Sequence, residues 1–77
     1  MAHPSEPADI PIRDEVIRLG QFLKLAGLID SGADAKTAIA DGEVTVNGEV
    51  EVRRGRQLRP GDVVELSGHS ARVAVRP

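Results

Sequence analysis

Cysteine, tryptophan and tyrosine are absent from this chain, and Phe22 is its one aromatic residue. Without cysteine neither a disulfide framework nor a thiolate metal site can form, so the core is held by packing alone, which suits a reducing compartment. No apolar run approaches the roughly 18 residues of a membrane span, and the opening MAHPSEPADIP lacks the basic start and apolar run of a secretory signal. These features lead us to expect a soluble, cytoplasmic protein with no membrane partner. At 77 residues the chain makes one domain, burying about 60% of the surface its unfolded form exposes, which argues against a deep catalytic cleft. The lack of aromatics also excludes a mode of binding. Single-strand binders that stack bases on several rings, at about 1–3 kcal/mol per base, need a platform this chain cannot supply.

Charge is present but uneven. Residues 1–51 carry ten acids and four bases, residues 52–77 two acids and six bases, for an overall net charge of −2. Arg53, Arg54, Arg56 and Arg59 fall within seven residues, and no carboxylate lies between Glu51 and Asp62. The expectation is a local cationic site on an acidic protein.

Residues 1–11 hold Pro4, Pro7 and Pro11 with little to bury, and read as a disordered tail preceding a domain over 12–77. Glu15 to Leu19 suggests a short leading strand. Leu19, Phe22, Leu23 and Ala26 recur at the spacing of one helical face, predicting a helix over about 21–26 closed by Gly27. Ser31, with Asp34 three residues on, forms a capping-box variant that opens a second helix over about 32–41, closed by Gly42. Val44, Val46, Val50 and Val52 alternate with Glu43, Thr45, Glu49 and Glu51 around Asn47-Gly48, a type I′ hairpin signal. Arg59-Pro60-Gly61-Asp62 is a second turn. Strands follow at 63–66 and 71–75, separated by Gly68-His69-Ser70.

This succession resembles the RNA-binding domain named after small-subunit ribosomal protein S-four, also called the αL motif, and is similar to small stand-alone bacterial proteins of the YbcJ type. The likeness covers about 16–75. It rests on Ser31-Gly32-Ala33 with Ala35-Lys36, Val46-Asn47-Gly48, Arg53-Arg54-Gly55-Arg56 and Pro60-Gly61-Asp62, in that order. The resemblance implies an α+β fold, two short helices on a small, mainly antiparallel sheet, with structured RNA, ribosomal or transfer, bound along the second helix and adjoining loops. Many relatives carry an arginine directly after the capping serine. Gly32 stands there in this chain, leaving backbone amides and Lys36 as donors.

The candidate RNA-binding residues are Ser31, Gly32, Lys36, Arg53, Arg54, Arg56, Lys24 and Gln21. A basic run taken alone is a solvated loop, and Ser31 is a helix cap whatever else it does. Guanidinium groups suit bidentate phosphate contact, and free amides at a helix start also receive phosphate. Neither His3 nor His69 has a second ligand nearby, so no metal and no cofactor is expected. The carboxylates are scattered, with no general acid/base pair and no nucleophile beside a base, so no enzyme is expected. Two other readings remain. An adaptor could use the acidic half to dock a ribosomal or other protein partner. A β-grasp sulfur carrier requires a C-terminal Gly-Gly, and this chain closes on Val75-Arg76-Pro77. The expected assembly is a monomer.

Overall fold

The computed structural model describes residues 7–76. In chain order the elements are β1 (Ala8–Ile12), β2 (Ile17–Arg18), α1 (Leu19–Leu25), α2 (Gly32–Ala40), β3 (Val44–Val46), β4 (Glu49–Val50), β5 (Gln57–Leu58), β6 (Val63–Leu66) and β7 (His69–Val75). The five-stranded sheet has the order β1-β7-β6-β3-β4, parallel only between β1 and β7, and β2 pairs antiparallel with β5 in a separate two-stranded ribbon. The fold is α+β, two helices on a mainly antiparallel sheet, as the sequence resemblance implies.

Both helices form where their terminal residues allow. Ser31 is extended, and its hydroxyl accepts from the Asp34 N–H at 3.1 Å, which satisfies one of the free amides of α2. Gly27 ends the first helix at φ +73°, a left-handed conformation that costs glycine nothing. The first helix starts two residues earlier than its apolar spacing predicts. Its free Leu19 and Gly20 amides donate to the Arg56 and Arg54 carbonyls at 2.8 and 3.1 Å, so a distant loop caps it in place of a side chain. Leu19, Phe22 and Leu23 of α1 and Ala35, Ala38 and Ile39 of α2 then join Val44, Val46, Leu58, Val64 and Val73 in one core.

The tail reading of residues 1–11 fails over Ala8–Pro11. These residues belong to β1, which pairs from Ala8↔Ala71 to Ile12↔Val75, and Ile12 is buried. Pro11 is tolerated because β1 is an edge strand with a partner on one side only. Of the rest of the expected tail, Pro7 belongs to no element and residues 1–6 lie outside the described residues.

The valine alternation around Asn47-Gly48 also requires correction. Asn47 and Gly48 adopt φ +53° and +85°, as the turn demands. A two-residue loop sets Val46 opposite Glu49 and Thr45 opposite Val50, and residues directly opposite share a face. Val50 therefore lies on the outer face with Thr45. It is 62% exposed and Val52 59%, whereas Glu51 is only 6% exposed. The last turn shifts similarly: Ser67 and Gly68, at φ +53° and +81°, make it, and His69 and Ser70 belong to β7. The expected leading strand shrinks to Ile17–Arg18.

Candidate nucleic-acid interface

Beyond β4 the chain leaves the sheet, and Glu51 turns inward beneath the arginine loop. The Glu51 N–H still donates to Val44 at 3.0 Å, which holds the backbone in place. Oε2 of Glu51 accepts from the Arg53 N–H and Nε, both at 3.0 Å, while Oε1 accepts from Arg53 Nη2 at 3.1 Å and Arg56 Nη1 at 2.9 Å. The cover over the carboxylate is therefore the two guanidinium groups themselves, and it lies just beneath the surface rather than in the deep interior. Hydrogen bonds from the Arg53 side chain, then the Arg56 side chain and the Arg53 amide, outweigh the cost of desolvation and hold Glu51 at about 2, below its ordinary 4.5. The same pairing raises Arg53 above its ordinary value. The sequence allows one arginine of the cluster to pair with Glu49 or Glu51; the structure pairs two, Arg53 and Arg56, both with Glu51.

The loop is also tied to α1. Its Arg54 and Arg56 carbonyls cap the helix, and the Arg56 N–H closes a turn on the Arg53 carbonyl at 3.2 Å. Gly20 permits this approach, since a Cβ there would lie 2.8 Å from Cγ of Arg54. One shallow groove results. Arg18, Gln21 and Lys24 line one side, Gly32 at the start of α2 another, and Arg54 and Gly55 the third, over Gly20. Among the described residues no carboxylate lines it. Arg18, Lys24 and Arg54 are exposed and take part in no ion pair among the described residues.

Of the sequence-derived candidates, the structure brings Gln21, Lys24, Gly32 and Arg54 together in this groove. Ser31 sits behind them as the cap. Lys36 is exposed one turn along α2 from Gly32, the spacing that places two residues on one helix face. Arg53 and Arg56 belong to the Glu51 cluster, although the Arg53 side chain is 74% exposed. Sequence reasoning missed Arg18, Gly20 and Gly55. Arg18 fell in a segment read only as strand, and no local pattern marks it. Among the described residues no three His, Asp or Glu side chains gather as a metal site would need, and no helix is long and apolar enough to cross a membrane.

The fold is that of an RNA-binding module of the αL type, as the comparisons with known proteins show. Residues 10–74 match the S4 domain family, and the chain belongs to it. It is 53% identical over 68 residues to the "Probable ribosome maturation protein RlbA" of Bacillus subtilis, covering 88% of this chain and 89% of that protein. To YbcJ of Escherichia coli it is 46% identical over 57 residues, 74% of this chain and 81% of the relative. The solution structure of E. coli YbcJ, described as revealing an αL motif involved in RNA binding, aligns with a TM-score of 0.70 over 97% of this chain and 96% of that one, at 37% identity. Ribosomal protein S4e of Thermoplasma acidophilum aligns with a TM-score of 0.60 at 26% identity, covering 78% of this chain and 32% of its own.

Proposed function

We propose that this chain binds a folded RNA, ribosomal or transfer RNA, in the cytoplasm, seating the phosphate backbone in the groove between α1, the start of α2 and the arginine loop. The observation that carries this reading is the groove's content: among the described residues, Arg18, Lys24 and Arg54 line it without ion-pair partners, and no carboxylate lines it. Lys36 extends the same surface. With a single aromatic ring, recognition relies on shape and backbone contact rather than on stacked bases. The role is binding, without catalysis. The ribosome-maturation name of the Bacillus relative supports ribosomal RNA as the first RNA to test.

Binding of a ribosomal RNA stem-loop, a transfer RNA and an unstructured homopolymer, each measured over a range of salt concentrations, tests the proposal. About four phosphate contacts give a slope of log affinity against log salt of roughly −3 to −4. The structured RNAs bind more tightly than the homopolymer. A flat salt response, or equal affinity for all three, would overturn the reading and favour an adaptor that docks a basic protein on the acidic half.

A further inference from the structure

The parallel pairing of β1 with β7 has an effect beyond the core. Ile12 lies opposite Val75, so the next residue on each strand, Arg13 and Arg76, leaves the sheet at the same end. The turn before β6 docks on β7, where the Gly61 N–H donates to the Val73 carbonyl at 2.8 Å and the Val73 N–H to the Asp62 carbonyl at 2.9 Å, bringing Arg59 alongside. Arg13, Arg59 and Arg76, far apart in sequence, line one surface depression with Pro60 and the exposed Val75. None of the three arginines is in an ion pair among the described residues. Asp14 and Glu15 line the same depression and reduce its charge without cancelling it. Three guanidinium groups at one end repel each other, and a polyanion relieves that repulsion.

This depression is not isolated from the α1–α2 groove. Between them lies a third hollow, along the connection from β1 to β2, which shares Ile12, Arg13 and Asp14 with the arginine depression and Gln21 with the groove, and includes the exposed Leu25. Through these shared residues the three adjoin as a track, on a molecule 37 Å in its longest dimension. Cations stand at both ends, with Asp14, Gln21 and the apolar Val16, Ile17 and Leu25 between them.

Building on the function proposed above, we infer that the bound RNA extends along this track, and that Arg13, Arg59 and Arg76 form a second phosphate-contact site engaged only by an RNA longer than the α1–α2 groove. The groove selects and orients the RNA. The second site adds length-dependent affinity, and Asp14 and Glu15 moderate it.

The test uses two stem-loops, one just long enough to cover the α1–α2 groove and one extended by a full helical turn, against the whole chain. Replacing Arg13, Arg59 and Arg76 together by glutamine weakens the long RNA, flattens its salt slope by about 2–3, at roughly 0.7–0.9 per lost contact, and leaves the short RNA unaffected. An unchanged long-RNA slope in a variant folded by circular dichroism overturns the inference and assigns the arginines to a partner other than nucleic acid. Equal weakening of both RNAs also overturns it, since the arginines then act on the groove itself. Asp14→Asn with Glu15→Gln gives an independent reading. It tightens the long RNA alone, and no gain there counts against the second site. Failure of the parent chain to bind either RNA sinks the proposed function, and the second site with it.

Discussion

Glu51 and Arg53, two residues apart, are joined three times over: the carboxylate accepts from the arginine's backbone N–H, Nε and Nη2 at 3.0, 3.0 and 3.1 Å. With Arg56 as its second cation, Glu51 divides the arginine cluster into two kinds of residue. Arg53 and Arg56 shape the loop, and of the three only Arg54 lines the groove, in no ion pair among the described residues.

The first prediction concerns pH. Glu51 is held at about 2 in the folded chain, against its ordinary 4.5, so the unfolded chain takes up this proton first on acidification. Its contribution to stability is fully present above about pH 4.5 and is lost as the pH falls toward 2. Thermal unfolding across this range should show the parent losing midpoint temperature more steeply than a Glu51→Gln variant. Parallel curves would remove Glu51 from the acid response.

Substitutions within the cluster should separate folding from binding. Arg54→Gln replaces an exposed side chain and should shift stability by less than about 0.5 kcal/mol. It should weaken structured RNA by about tenfold, the order expected for losing a charge-assisted hydrogen bond after solvent screening. Replacing Arg53 and Arg56 together by glutamine removes the two guanidinium groups that pair with Glu51 and cover it, so the thermal midpoint should fall. Measuring midpoint and Kd on both variants decides the matter. Equal destabilisation by the two would show that the division of roles is wrong.

Gly20→Ala sets a favourable helix substitution, worth up to about 1 kcal/mol, against a Cβ that would meet Cγ of Arg54 at 2.8 Å. The arginine stem must move aside. We expect little net change in midpoint and a several-fold loss of RNA affinity, because the displaced side chain is one of the groove's three cations. Unaltered affinity would show that Arg54 can reach its phosphate from elsewhere.

Asn47 connects its hairpin to the next turn. Its side-chain amide donates to Asp62 at 3.0 Å, and its side-chain oxygen accepts from the Val63 N–H at 2.9 Å, while its backbone holds φ +53°. Asn47→Ala should cost about 1–2 kcal/mol in chemical denaturation through two lost hydrogen bonds. Gly48→Val, at φ +85°, should cost about 1–3 kcal/mol through backbone strain. Midpoints equal to the parent's would mean that the sheet tolerates another turn geometry here.

The features legible in the sequence act over three or four residues. Ser31 with Asp34, Gly27 after an apolar helical face, Asn47-Gly48 and Pro60-Gly61 each satisfy or bend their own stretch of backbone, so composition and spacing suffice to place them. Their order also carried the family resemblance, and with it Gln21, Lys24, Gly32 and Arg54 of the groove.

Tertiary structure decided the rest, because the partners lie far apart in sequence. β1 reads as tail until β7 pairs with it, across the 63 residues that separate Asp9 from Arg72, whose side chains meet at 3.1 Å. Glu51 reads as the outer face of a strand, but a two-residue turn reverses that parity and two arginines of the following loop cover the carboxylate. Arg18 joins Arg54 only because the amides of Leu19 and Gly20, which α1 leaves free, find their acceptors in the arginine loop. Local hydrogen bonds and turn conformations can be read along the chain. Strand partners, the burial of a charge and the convergence of cations depend on which surfaces the folded core brings together.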